Sequence, residues 1–301
     1  MSDHNIISKG NKGGYVTLRF NNSGSSWLHE ANVTGETVNS MRIVNALWSA
    51  NGVADAVGGA GATDAYFAYV KMLYPFDGAD ASTSGAGFSD LSGNGHTLTA
   101  SGHAQIDTAE SADGVSSLLL DGTGDCGSFT DHADVTLGNS DFVIDGFWMF
   151  NSISSHNRAF CGHWGGAGTR AFIFVYAYAT NKLHFQYTTS GSGAGATITQ
   201  SNTWTPVLYA ATPTFYHIAI VRSGPNVYFF VDGVQQGTTS TAISTDTIFD
   251  STDPFTIGIY DYSNPIGCEF DGWIGGFRYT VGTDRGWTSN FTAPTAPFPT
   301  S

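Results

Sequence analysis

Charge is what this sequence has least of. Only 12% of its residues are Asp, Glu, Lys or Arg, against roughly a quarter in ordinary globular chains. Lysine and arginine number 11 in 301 residues, and no two are adjacent. So thin a set of cations cannot neutralise a run of phosphates, which argues against nucleic acid as a partner. Glutamate occurs four times, as Glu30, Glu36, Glu110 and Glu269, and no two of these share a strand at alternate positions. Cysteine is equally sparse. Cys126, Cys161 and Cys268 are odd in number, widely spaced and free of any C-x-x-C pattern. That speaks against a zinc ribbon or a disulfide framework, and three buried free thiols are expected. No apolar run approaches a membrane span. The opening MSDHNIISKGNKGG has no apolar leader core, so a soluble chain outside the general secretion route is expected.

What is present suits short strands and tight turns. Hydrophobic residues make up 41%, enough for a real core, and glycine occurs 38 times. No segment carries a sustained helical period. Phe142 to Phe150 alternates almost strictly, placing Phe147 and Trp148 on opposite faces of one strand. Thr180-Asn181 and Asp232-Gly233 read as hairpin turns between apolar runs. Ten or more such runs follow Tyr66, which indicates an all-β, two-sheet antiparallel sandwich. The net charge of −14 and pI near 4.7 mainly favour solubility.

Residues 1–65 differ in texture. Tyr15 to Phe20 alternates as a strand, Met41 to Trp48 is a second apolar stretch, and Val53 to Thr63 is a Gly/Ala-rich connection. Trp27, Leu28, Val44, Leu47 and Trp48 stand among Gly, Ser and Asn. So short a segment cannot hide them all within itself. They pack either on the following domain, as an extra β-layer, or on another subunit. The latter predicts an attachment and oligomerisation segment over 1–65, with a homo-oligomer, trimer favoured by the habits of spikes and fibres, and a separate domain over 66–301.

The stretches LYPFDGADASTS, FSDLSGNGHTLTASGHAQIDTAES, SSLLLDGTGDCGSFTDHADVTLGNSDFVIDGFWMF, FYHIAIVRSGPNVYFFVDGVQQGT, FDSTDPFTIGIY and FDGWIGGFRYTVGTDRGWTSNFTAPTAPFP, in this order, resemble the laminin-G-like/concanavalin-A-like jelly roll, in the version common in bacteriophage structural proteins. The pattern covers about residues 70–299. The resemblance implies a non-enzymatic virion protein, assembled in the host cytoplasm, of capsid-decoration or head-fibre type. Its partners would be major capsid or tail proteins, and its outward jelly roll would contact surface glycans. A tail-fibre or tail-associated glycan-binding module is the alternative, and a glycoside hydrolase the third reading. The sequence departs from the family pattern at Cys126, which stands where a tyrosine is usual. It departs again at Gly275 and Gly276, which stand where an acidic pair often follows the last strand's Gly-x-Ile.

Glycoside hydrolysis needs two carboxylates flanking one bond, one of them protonated. Asp141 and Asp145 are the nearest approach, but Asp141 reads as the turn before the strand. No Gly-x-Ser-x-Gly elbow precedes a helix. Cys161-Gly162-His163 gives no preset triad geometry, and His217 reads as a buried or rim histidine on an alternating strand. Jelly rolls of this type often hold one structural Ca2+ where first and last strands meet, which makes Asp77, Asp90 and Asp271 candidate ligands by position. The same aspartates serve equally as turn residues. For glycans, Trp164 in the CGHWGGAG loop, Trp204 and Tyr262 are the candidate stacking platforms.

Overall fold

The computed structural model describes residues 5–12, 15–22, 25–32, 63–193, 195–260 and 269–301. The chain forms two compact units, Met1–Ala50 and Asn51–Ser301. The first carries an antiparallel sheet of β1 (Asn5–Lys12), β2 (Tyr15–Asn22) and β3 (Ser25–Asn32), in that order. The expected strand at Tyr15 is β2. Of the residues proposed for attachment, Trp27 and Leu28 fall on β3, while Val44, Leu47 and Trp48 lie outside the described residues.

The second unit is an antiparallel sandwich. Its strands are β4 (Val70–Tyr74), β5 (Thr99–Ser101), β6 (Gln105–Asp107), β7 (Ser117–Asp121), β8 (Cys126–Phe129), β9 (Phe142–Phe150), β10 (Arg158–His163), β11 (Arg170–Ala177), β12 (Lys182–Gly191), β13 (Ala196–Thr199), β14 (Tyr216–Ser223), β15 (Asn226–Val231), β16 (Val234–Gln235), β17 (Phe255–Ile257) and β18 (Asp271–Val281). One sheet runs β13-β12-β11-β10-β17-β8-β5. The other runs β16-β15-β14-β9-β18-β7-β6, with β4 also paired to β18. Helix is confined to three short 3-10 turns among the described residues. This is the all-β jelly-roll sandwich that the sequence predicts.

Alternation along β9 builds both of its faces. Phe142, Ile144, Trp148 and Phe150 enter the core between the sheets, where each side chain contributes roughly 1.5–3 kcal/mol by leaving water. Val143, Asp145 and Phe147 point the other way and are equally buried, because a second layer covers that face. The cover is the C-terminal strap. Trp287 and Phe291 pack on Val143, Val221 and Phe230. Phe298 packs on Phe147, Val70 and Leu73. FTAPTAPFP crosses the sheet as the expected strap, without a strand of its own and with a bend at residues 296–297.

Two local details position the strap. At the β15–β16 turn, Asp232 and Gly233 both adopt positive φ, 49° and 74°, as a tight hairpin requires. A side chain on Gly233 would strike the Phe291 carbonyl at 2.1 Å. Gly275 lies against Ala112 and Phe215, and Gly276 against Phe147 and Phe298. The glycines that replace the family's acidic pair thus bring loop and strap down onto bare backbone. The Asp64 backbone N–H donates to the Ser301 carbonyl, which ties residue 64 to the C-terminal end of the chain.

Candidate functional site

Beneath the strap lies a buried ion network. Arg278 on β18 donates to Asp145 through Nε (3.1 Å) and Nη2 (2.7 Å). The Asp145 register partner on that strand is Arg278 itself. His217 Nε2 lies 2.9 Å from Asp145 Oδ2, and Asp64 accepts from both Arg278 and Arg285. The Arg278 guanidinium sits 4.1 Å over the Phe298 ring. Burial alone would raise the Asp145 carboxyl, but the Arg278 charge and the His217 bond outweigh it and hold the group far below the carboxylate range. Asp145 is therefore a fixed anion and not a proton donor. The sequence reading of His217 as a buried or rim histidine did not include this pairing. Its signal was the register, since Asp145 and His217 both occupy outward positions on adjacent strands.

His217 also lines a cleft of about 280 Å3 between sheet and strap, with Phe147, Phe215, Asp232, Pro294 and Thr295. Its Nδ1 is buried without a partner. A second cleft of about 220 Å3 opens at the β12–β13 hairpin, lined by Tyr187, Thr188, Thr189, Ser190, Ser192 and Asp246. Five of these residues carry hydroxyls, and the Tyr187 hydroxyl donates to Asp246 Oδ2 at 2.7 Å. Each cleft has a single carboxylate, Asp232 in one and Asp246 in the other.

The candidate stacking residues fare differently from expectation. Trp164 is only 5% exposed and packs on Ala159, Ile173 and Val175, with Arg170 over its ring. Its loop folds back onto the sheet, so it offers no free face. Trp204 is half-buried against Phe150, Tyr176 and Tyr216 and closes one edge of the core. Tyr262 lies outside the described residues. Cys126 and Cys161 are buried free thiols, pushed up by desolvation, while Cys268 lies outside the described residues. His163 is buried and bonds the Asp253 carbonyl at 2.9 Å. Asp141 precedes β9 and accepts from the Gly224 N–H.

The three candidate calcium ligands do not converge. Asp90 accepts from the backbone N–H groups of Leu73, Ser92 and His96, a turn role that uses both of its oxygens. Asp271 is held by Asn151 (2.9 Å) and faces Arg158. Asp77 alone fits a cation, and with a different companion, Asp113. Asp77 Oδ1 and Asp113 Oδ2 are buried with no partner. Burial, then the Asp113 charge, pushes the Asp77 carboxyl up to about 6, and burial raises Asp113 as well. Two desolvated carboxylates with orphaned oxygens suit a hard cation such as Ca2+.

Comparison with solved structures places the fold among carbohydrate-associated and toxin domains. Domain 4 of AbnA, a GH43 extracellular arabinanase from Geobacillus stearothermophilus solved with arabinotriose, is 16% identical at a TM-score of 0.50. The match covers 73% of this chain and 96% of that one. The binding domain of botulinum neurotoxin serotype C1 matches at a TM-score of 0.51 and 12% identity, over 74% of this chain and 51% of that one. The serotype D binding domain matches at 0.50 and 8%, over 74% and 50%. The chain thus spans about half the length of these toxin domains. Identities so low speak to the fold alone. No curated protein matches the chain. A family model does match residues 121–280, the stretch from the end of β7 through the last strand that carries most of both sheets. The chain belongs to the concanavalin A-like lectin/glucanases superfamily.

Proposed function

We propose that this chain is a non-catalytic contact protein of a virion, a decoration or head-fibre component whose sandwich binds surface glycans and whose N-terminal sheet attaches it. The observation that carries the non-catalytic reading is that neither cleft holds a pair of carboxylates, the Asp77 and Asp113 pair lining neither of them. The cleft beneath the strap and the cleft at the β12–β13 hairpin hold one each, whereas glycosidases need two facing one bond. The carboxylate at the centre of the sheet, Asp145, is sealed beneath the strap and fixed as an anion. The virion assignment rests on the ordered motifs that resemble phage structural jelly rolls, and the tail-associated module remains its alternative. Calcium, bound by Asp77 and Asp113, would brace the rim and take no part in chemistry.

Glycan contact is assigned to the hydroxyl-lined cleft at the β12–β13 hairpin. Thr189, Ser190, Ser192 and Asp246 offer donors and acceptors at the density a sugar presents. The test is a glycan array with arabinotriose among its probes, run beside an assay for reducing ends. Retention without cleavage is expected. Asp246→Asn should weaken retention roughly tenfold through loss of a charged hydrogen bond. Sugar release that survives purification and vanishes in Asp77→Asn or Asp232→Asn would overturn the non-catalytic reading.

A further inference from the structure

Away from both clefts, three metal-ligating side chains from separate stretches of chain meet beside the end of β8. His96 comes from the loop before β5, and His132 and Asp134 come from the short 3-10 turn after β8. One ligand atom from each lies within 4.8 Å of the other two. Asp134 Oδ2 is 2.9 Å from His96 Nε2 and 3.0 Å from His132 Nδ1. One comparable group occurs among the described residues, His103 with Asp121 and Asp125. There both Asp125 oxygens already accept backbone N–H groups, from His103 and Asp121.

Asp134 Oδ2 is the point on which the two imidazoles converge. His132 Nδ1 also lies 3.2 Å from the Asp134 backbone nitrogen, which fixes the ring beside the carboxylate. Lys71 reaches the other oxygen, Oδ1, at 3.4 Å, and leaves Oδ2 to the two imidazoles.

The surroundings hold the ligands in place. The His96 ring stacks on Phe129 at 4.9 Å. Its backbone N–H donates to Asp90 Oδ2, and its carbonyl accepts from the Tyr74 hydroxyl. His132 is 55% exposed in its side chain, which leaves a path from solvent and room for a bound water.

We propose that His96, His132 and Asp134 form a site for one late first-row divalent metal ion of the zinc type, with water completing its coordination. Two imidazoles and a carboxylate are a borderline-soft donor set that favours zinc, copper or nickel over calcium and magnesium. Ligand atoms about 2.0–2.1 Å from a tetrahedral metal lie roughly 3.3 Å apart. The observed 2.9 and 3.0 Å need only a small opening to match.

The test is calorimetric titration of the full chain with ZnCl2, repeated with Co2+ to read tetrahedral absorption bands. His132→Ala and Asp134→Asn are the variants, and His103→Ala is the control. Expected is a zinc equivalent of micromolar or tighter affinity, weakened at least about tenfold in each variant, retained in the control, and not displaced by excess Ca2+. His132 is half exposed, so His132→Ala should melt with the parent; should it not, Asp134→Asn decides. Isotherms and cobalt spectra unchanged in both variants, or changed only in His103→Ala, would overturn the site.

Discussion

Asp77 and Asp145 are both desolvated carboxylates, and what each faces decides its behaviour. Asp145 meets Arg278 and stays charged, whereas Asp77 meets Asp113 and resists ionisation. The folded Asp77 carboxyl titrates near 6 against an ordinary 3.8. Between these values the folded chain holds a proton that the unfolded chain has released, so stability falls as pH rises through that window. In chelator, the urea midpoint of the parent should drop between about pH 4 and pH 6.5 more than that of Asp77→Asn. A few millimolar Ca2+ should remove this difference by occupying the orphaned oxygens. If the parent and Asp77→Asn respond identically to pH and to calcium, the pair holds no cation. Asp77 was named as a candidate ligand through the family resemblance, which places an ion where first and last strands meet. Its companion was not, because Asp113 lies in a loop with no periodicity to mark it.

Strands and turns were the most legible elements. The alternation of Phe142 to Phe150 fixed which rings of β9 face inward, and Phe147 and Trp148 anchor opposite sides as read. Thr180-Asn181 is the β11–β12 turn, with Asn181 at φ 53°. The Trp164 loop misled, because a tryptophan among glycines looks the same in sequence whether its loop projects or folds back. The strap was visible in its prolines, but its energetic weight was not. Phe298 is 3% exposed, in contact with Phe147 and the Arg278 guanidinium. Phe298→Ala should cost about 3–5 kcal/mol by cavity formation, measured by denaturant unfolding. A cost under about 1 kcal/mol, as at an exposed site, would show that the strap does not seal the sheet.

For the molecule as a whole, the junction between the two units can be probed by truncation. Asp64 pairs with Arg278 and Arg285 within the sandwich, and its loss strands the buried Arg285 guanidinium while Arg278 keeps Asp145. A chain beginning at Gly61 should unfold with the parent. One beginning at Tyr66 should be less stable by about 3–5 kcal/mol, the cost of breaking a buried pair. On the proposed function, the chain beginning at Gly61 no longer joins particles. Light scattering of the full-length protein should give a homo-oligomer, a trimer on the proposed reading, and the truncated chain a monomer. A full-length monomer at high concentration, or full particle occupancy without residues 1–60, would remove the attachment role. Equal stability of the two truncated chains would remove the Asp64 role.

Composition and period were enough to establish a sandwich of short strands, because turn residues and two-residue alternation act locally and need no knowledge of distant partners. The scarcity of glutamate was equally plain, since counting requires no geometry, but the meeting of Asp77 with Asp113 was not. Which polar groups meet was decided only by the packed chain. Asp145 finds Arg278 across 133 positions, Asp64 finds Arg285 across 221, and His96 finds Asp134 across 38. Such pairings follow from strand order and register, which non-local burial selects and no local pattern encodes.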